Sequence, residues 1–152
     1  MSEEIDWDGL TFSLTPTDTM YLTETSSTEP WMPGTLRPYG PIEMSPASGV
    51  LNYGQGLFEG MKAFRTSKNR VVFFRPEENA RRMQRGADRL KIPPVPESIF
   101  IDAVEQCVQA NLRWVPPTGK GAMYVRPLLM GSGPILGVAP APSYTFLVYV
   151  TP

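Results

Sequence analysis

Histidine is absent from the 152 residues, and cysteine appears once, as Cys107. Without an imidazole, neither a histidine-based catalytic triad nor a histidine-rich metal site can be assembled from this chain. A lone cysteine forms no internal disulfide. Charged residues make up 19% of the chain, below the roughly 25% usual in globular domains, and the formal net charge is −1. That balance offers no basic patch for nucleic acid. No apolar run is long enough to span a bilayer. The acidic start, SEEIDWD, lacks the basic flank and apolar core of a signal peptide. A soluble, intracellular setting is expected. Glu59 has no second carboxylate at a recognisable spacing, so no acid/base pair is supported there.

What is abundant is proline. Its 17 copies cluster at residues 30–46, 93–96, 116–117 and 134–142, and mark long ordered loops between short elements. An aromatic content of 11% argues against disorder, and 41% hydrophobic residues suffice for one core. The pattern predicts an α+β fold, mostly antiparallel sheet with two main helices. Strands are expected at 20–24, 61–66, 70–75, 122–129 and 144–150, with 61–75 forming a hairpin around SKN. Residues 25–49 read as loop, and a short helix is expected around 50–58. Pro76 suits the first turn of a helix, and Glu77 and Glu78 favour its N-terminal end. Ala80, Met83, Ala87 and Leu90 give that helix one buried stripe. IPPVP at 92–96 ends it, and a second helix is expected over 97–114.

Two stretches stand out: LNYGQGLFEGMKAFR at 51–65 and FFRPEENARRM at 73–83. The helix in the second carries Arg81, Arg82, Arg85 and Arg89. At about 100° per residue, Arg82 lies nearest the edge of the apolar stripe, with Gly86 leaving space beside it. A guanidinium at a core boundary needs an anion, either a carboxylate of this chain or a ligand phosphate. Geometry alone favours the ion pair. In AMYVRPLL, Tyr124 and Arg126 are two apart and project from one face of a strand. Together they can bind a carboxylate or form a polar outer face, which is the commoner case. Pro127 predicts that this strand ends there or lies at an edge. GQGLFEG and GSGPILG contain GxG but lack the strand-then-helix context of a dinucleotide site. Cys107 falls on an apolar helix face, as a core residue would, and Lys62 reads as a snorkelling lysine.

These stretches, with NLRWVPPTGKGAMYVRPLLMGSGPILGVAPAP and YTFLVYVTP, resemble the branched-chain amino-acid aminotransferases, and the plant members most of all. These are fold-type IV pyridoxal phosphate (PLP) enzymes. The likeness runs from about Phe12 to the last residue. It implies the small N-terminal domain of that fold over 12–150, after a tail at 1–11 and before an interdomain linker starting at 151–152. It implies that Arg82 binds the PLP phosphate, and that Phe12, Phe58 and Tyr124 line the pocket for the aliphatic side chain. Arg126, with the tyrosine, would accept the distal carboxylate of glutamate or 2-oxoglutarate. Tyr53, Leu136 and Val138 would serve the pocket across a homodimer interface. The implied reaction passes the amino group of leucine, isoleucine or valine to 2-oxoglutarate, giving 2-oxo acids and glutamate. The family's Schiff-base lysine lies in a C-terminal large domain, and none of Lys62, Lys68, Lys91 or Lys120 matches it. The isolated chain is therefore expected to be inactive and to bind PLP weakly or not at all. Cytoplasm or plastid is the expected compartment. The rival readings are a non-enzymatic product that pairs with full-length subunits, and a related enzyme such as a D-amino-acid aminotransferase or an aminodeoxychorismate lyase.

Overall fold

The computed structural model describes residues 4–152. Its strands are β1 (Thr19–Ser26), β2 (Thr35–Pro38), β3 (Gly56–Phe58), β4 (Met61–Arg65), β5 (Val71–Phe73), β6 (Met123–Gly131) and β7 (Ser143–Thr151). Among the described residues these seven form one antiparallel sheet in the order β2-β1-β7-β6-β4-β5, with β3 also paired to β6. The helices are α1 (Gly49–Tyr53), α2 (Pro76–Arg89) and α3 (Glu97–Ala110), with a 3-10 turn at Leu112–Trp114. The α+β expectation holds, with two main helices packed on one face of the sheet.

The core forms between those helices and that face. Ala80, Met83 and Ala87 of α2 and Phe100, Ala103, Val104, Cys107 and Val108 of α3 are buried. They meet inward residues of the central strands, such as Met123, Val125 and Leu129 on β6 and Phe146, Val148 and Val150 on β7. Each large side chain removed from water there contributes about 1.5–3 kcal/mol. Phe100 and Phe146 stack with ring centroids 5.9 Å apart, fixing α3 over β7. Pro76 opens α2 as expected, after Arg75 turns the chain out of β5 in the left-handed region (φ 47°).

Four sequence expectations are corrected. The helix near 50–58 stops at Tyr53, because Gly54 adopts the left-handed conformation (φ 66°) that ends helices, and residues 56–58 then join the sheet as β3. The loop over 25–49 contains β2, whose four exposed residues carry no apolar alternation to reveal it. The second helix ends at Ala110, and residues 112–114 tighten into the 3-10 turn. Pro127 neither ends β6 nor places it at an edge: β6 is central and runs to Gly131.

The central place of Pro127 in β6 has a backbone cause. Gly56, Leu57 and Phe58 pair with Met130, Leu129 and Leu128, and Met61, Lys62 and Ala63 pair with Val125, Tyr124 and Met123. The register is continuous, so β3 and β4 are one strand interrupted opposite Pro127. In an unbroken ladder, Glu59 and residue 127 would exchange two hydrogen bonds. The Glu59 N–H does donate to the Pro127 carbonyl (2.9 Å), but proline has no N–H to return. The interruption falls at Glu59 and Gly60, and the site is built around them.

Candidate functional site

Alternation on the β3–β4 line sends Leu57, Glu59, Met61 and Ala63 toward the helices and Phe58, Gly60, Lys62 and Phe64 to the opposite, outer face. On β6 it sends Met123 and Val125 inward and Tyr124 and Arg126 outward, as the sequence spacing required. The outer face brings four of the sequence candidates together. The Phe12 and Tyr124 rings meet edge to face with centroids 5.3 Å apart. The Arg126 guanidinium lies over Phe58, 4.2 Å from the ring centroid, and 5.1 Å from that of Tyr124. Its Nη2 and Nε donate to the Tyr124 hydroxyl at 2.8 and 3.2 Å. Gly60 makes this arrangement possible, because a Cβ there would collide with the Tyr124 phenol. A small cleft of about 130 Å³ opens among Phe12, Leu14, Tyr124, Arg126 and Tyr149. The cluster is open to solvent: Phe12 is 85% and Phe58 59% exposed. A half-open aromatic wall with one cation, its guanidinium braced by two rings and a phenol, can take an apolar group or a carboxylate.

The second cluster lies beyond the other end of β6. Tyr53, at the end of α1, accepts a hydrogen bond from the Gly137 N–H (2.8 Å). The loop is tied back by the Ser48–Pro134 bridge and by the Ile135 N–H donating to the Ala47 carbonyl (2.9 Å). Leu136 and Val138 flank Gly137 with 91% and 90% of their surfaces exposed. The structure thus joins Tyr53 to the Leu136/Val138 loop and keeps both apart from the Phe12/Tyr124 cluster.

Arg82 projects from α2 onto the interrupted strand. Its Nε donates to Glu59 Oε1 (2.6 Å) and its Nη2 to Glu59 Oε2 (2.7 Å). Asn79 Nδ2 supports the same carboxylate (3.0 Å to Oε2) and the Gly60 carbonyl (3.2 Å). Burial pushes the Glu59 carboxyl up, but the hydrogen bond and charge of Arg82, with the bonds from Asn79 and the Gly60 backbone, outweigh it and hold the group below its ordinary value. The same bond raises the Arg82 guanidinium further. The side chain of Glu59 is 5% exposed and that of Arg82 62%. The ion-pair reading of Arg82 is therefore realised within the chain, while its Nη1 makes no hydrogen bond among the described residues. That leaves an outward guanidinium edge whose chemistry fits a phosphate group. The space beside Gly86 is taken by Leu57, which a Cβ there would meet at 2.5 Å.

Glu59 and Asn79 escaped sequence reasoning. The available signal was the alternation itself, since Glu59 occupies a core-facing place between Leu57 and Met61. Cys107 is buried and its thiol is pushed up to about 12 by desolvation, as befits a core residue. No helix of the described residues is long and apolar enough to cross a membrane.

No protein-family model matches the chain. Curated relatives do. The chain is 56% identical over 149 residues to the chloroplastic branched-chain amino acid aminotransferase 2 of Humulus lupulus, covering 98% of this chain and 36% of that protein. It is 55% identical over 148 residues to branched-chain-amino-acid aminotransferase 6 of Arabidopsis thaliana, covering 97% and 42%. A methionine aminotransferase of Arabidopsis thaliana is 43% identical over 148 residues, covering 97% and 42%. Among solved structures, the Escherichia coli branched-chain amino acid aminotransferase aligns with a TM-score of 0.70 at 21% identity, over 90% of this chain and 40% of that one. The Thermoproteus uzoniensis enzyme, solved with norvaline, gives 0.68 at 23%, over 88% and 41%. These likenesses show a shared fold. Across 97–98% of its length the chain is a homologue of the plant branched-chain aminotransferases, and it spans 36–42% of the length of these relatives.

Proposed function

We propose that the chain supplies the substrate-facing small domain, over residues 12–150, of a PLP-dependent aminotransferase that moves the amino group of leucine, isoleucine or valine to 2-oxoglutarate. The observation that carries this is the Arg126–Tyr124–Phe58 contact set on the outer face. Such an enzyme must accept an aliphatic side chain in one half-reaction and a carboxylate in the other, at one place. Phe12, Phe58 and Tyr124 offer apolar surface for the first. Arg126, with its two donor nitrogens aimed at the Tyr124 oxygen, offers a charge-assisted partner for the second. Stacking on the Phe58 and Tyr124 rings partly shields the guanidinium from water when the aliphatic substrate is present. Arg82 is the residue for the cofactor phosphate, and Tyr53, Leu136 and Val138 reach toward the pocket of a partner in a homodimer. Bound PLP supplies the electron sink for amino transfer. The chain's own part is to bind, orient and exclude water from one side.

The test is a hybrid in which residues 4–152 replace the matching segment of the hop relative. Leucine-dependent formation of glutamate is expected. Arg126→Ala is expected to weaken use of 2-oxoglutarate by about tenfold to a hundredfold, the worth of a hydrogen bond to a charged group. Leucine should suffer far less. A hybrid without turnover, or an equal loss for both substrates, would sink the reading. The 152-residue chain alone is expected to give no turnover, because its aromatic wall stands open to water and the Schiff-base lysine is expected outside these residues.

A further inference from the structure

Glu59 is a charged side chain where the strand pattern calls for an apolar one. Leu57, Met61 and Ala63 share its inward face, and Met61 and Ala63 are core residues. A buried carboxylate is costly unless fully partnered, and an apolar residue in such a place is often at least as stable. The side-chain partners of Glu59 come from α2, Arg82 through Nε and Nη2 and Asn79 through Nδ2, and the Gly60 backbone adds a further hydrogen bond. The other arginines of that helix are held differently. Arg81 pairs at the surface with Glu78 and Glu97, and Arg85 and Arg89 carry no ion pair among the described residues. Asn79 also lines an open cleft of about 690 Å³ that runs from Gly60 to Phe64 and Phe74.

We infer that Glu59 is a positioning residue: by gripping the Nε–Nη2 edge of Arg82 from inside the strand, it aims the opposite guanidinium edge outward to receive a phosphate group. The inference rests on the reading of Arg82 as the phosphate residue. The guanidinium is a rigid plane with five N–H donors. Fixing one edge fixes the direction of the donors on the other, so Nη1 and the remaining hydrogen of Nη2 point away from the carboxylate. A free arginine loses side-chain freedom when it binds an anion, and a pre-held one has already lost it. Strand alternation is what lets consecutive residues divide this work. Phe58 and Gly60 serve the Arg126 cluster on the outer face, and Glu59 between them serves Arg82.

The experiment uses the 152-residue chain with ¹⁵N-labelled arginine and inorganic phosphate as the probe, with Arg81, Arg85 and Arg89 as internal controls. The Arg82 Nε–H is expected to show backbone-like rigidity by heteronuclear NOE, unlike those of Arg85 and Arg89. Its signal is also expected to respond at lower phosphate concentration than theirs. Glu59→Gln should mobilise the Nε–H and erase the phosphate preference while leaving the far-UV circular dichroism spectrum unchanged. If Glu59→Gln fails to fold, Asn79→Ala carries the comparison, with partial mobilisation and a weaker preference expected. A wild-type Arg82 with no preference overturns the phosphate reading and this inference with it. A preference that survives Glu59→Gln, or in the fallback an unaltered response in Asn79→Ala, overturns this inference alone.

Discussion

At Gly60 the backbone leaves no room for a side chain, since a Cβ would meet the Tyr124 hydroxyl and come within 3.1 Å of the ring carbon that bears it. The ring is rigid, and its oxygen is held by two Arg126 donors. Gly60→Ala is therefore expected to cost about 1–3 kcal/mol by overpacking. Gly86 looks similar but differs in kind: its obstacle is the terminal methyl of Leu57, a flexible side chain. Gly86→Ala relieves an interior helical glycine worth up to about 1 kcal/mol. It should range from neutral to that much more stable. Denaturant midpoints of the two variants check both signs. Glu59 sets a pH dependence. Its carboxyl is lowered in the folded chain, so its contribution is complete above the ordinary carboxylate range and lost as pH falls through the lowered value. Between those limits the unfolded chain binds the extra proton, and stability rises with pH. Glu59→Gln should flatten that rise. An unaltered slope of denaturant midpoint against pH below about 4.3, the free glutamate value, would contradict it.

At the scale of elements, the sequence exposes what periodicity encodes and hides what pairing decides. The stripe Ala80, Met83 and Ala87 and the outward pair Tyr124 and Arg126 were legible, because side-chain period follows directly from helix and strand geometry. β2 and β3 were not, because TLRP and GLF are too short to carry a period and exist through their neighbours β1 and β6. The Arg82–Glu59 clamp spans 23 positions, a separation no local rule relates. Pro127 misled for a physical reason: a proline in a central strand is tolerated where it can stand opposite an interruption. That makes a prediction. Pro127→Ala restores an N–H opposite the Glu59 carbonyl, so the ladder should close across residues 59 and 60. The new amide at 127 is expected to exchange as slowly as that of Val125, by hydrogen exchange. Rapid exchange at 127 would mean that the strand is broken for another reason.

For the whole molecule, the two faces of the sheet have different fates. α2 and α3 cover the inner face, and residues there such as Val125, Leu129 and Phe146 are fully buried. An antiparallel sheet can leave its other face to water, but such a face is normally polar. Here Phe12, Phe58 and Phe64 stay exposed on it, and Phe74, also exposed, lines one cleft with Phe64. Exposed apolar area of this extent marks a surface awaiting a partner. In the proposed enzyme that cover is a further domain, with a partner subunit over the Leu136 and Val138 loop. The isolated chain should then bind an apolar dye such as ANS while keeping native far-UV and near-UV circular dichroism. Replacing Phe12 and Phe58 together by serine should lower dye binding without changing the inner core, since neither residue contributes to it. Native-like spectra with no dye bound would show that the outer face closes on itself, and the case for an absent covering surface would fail.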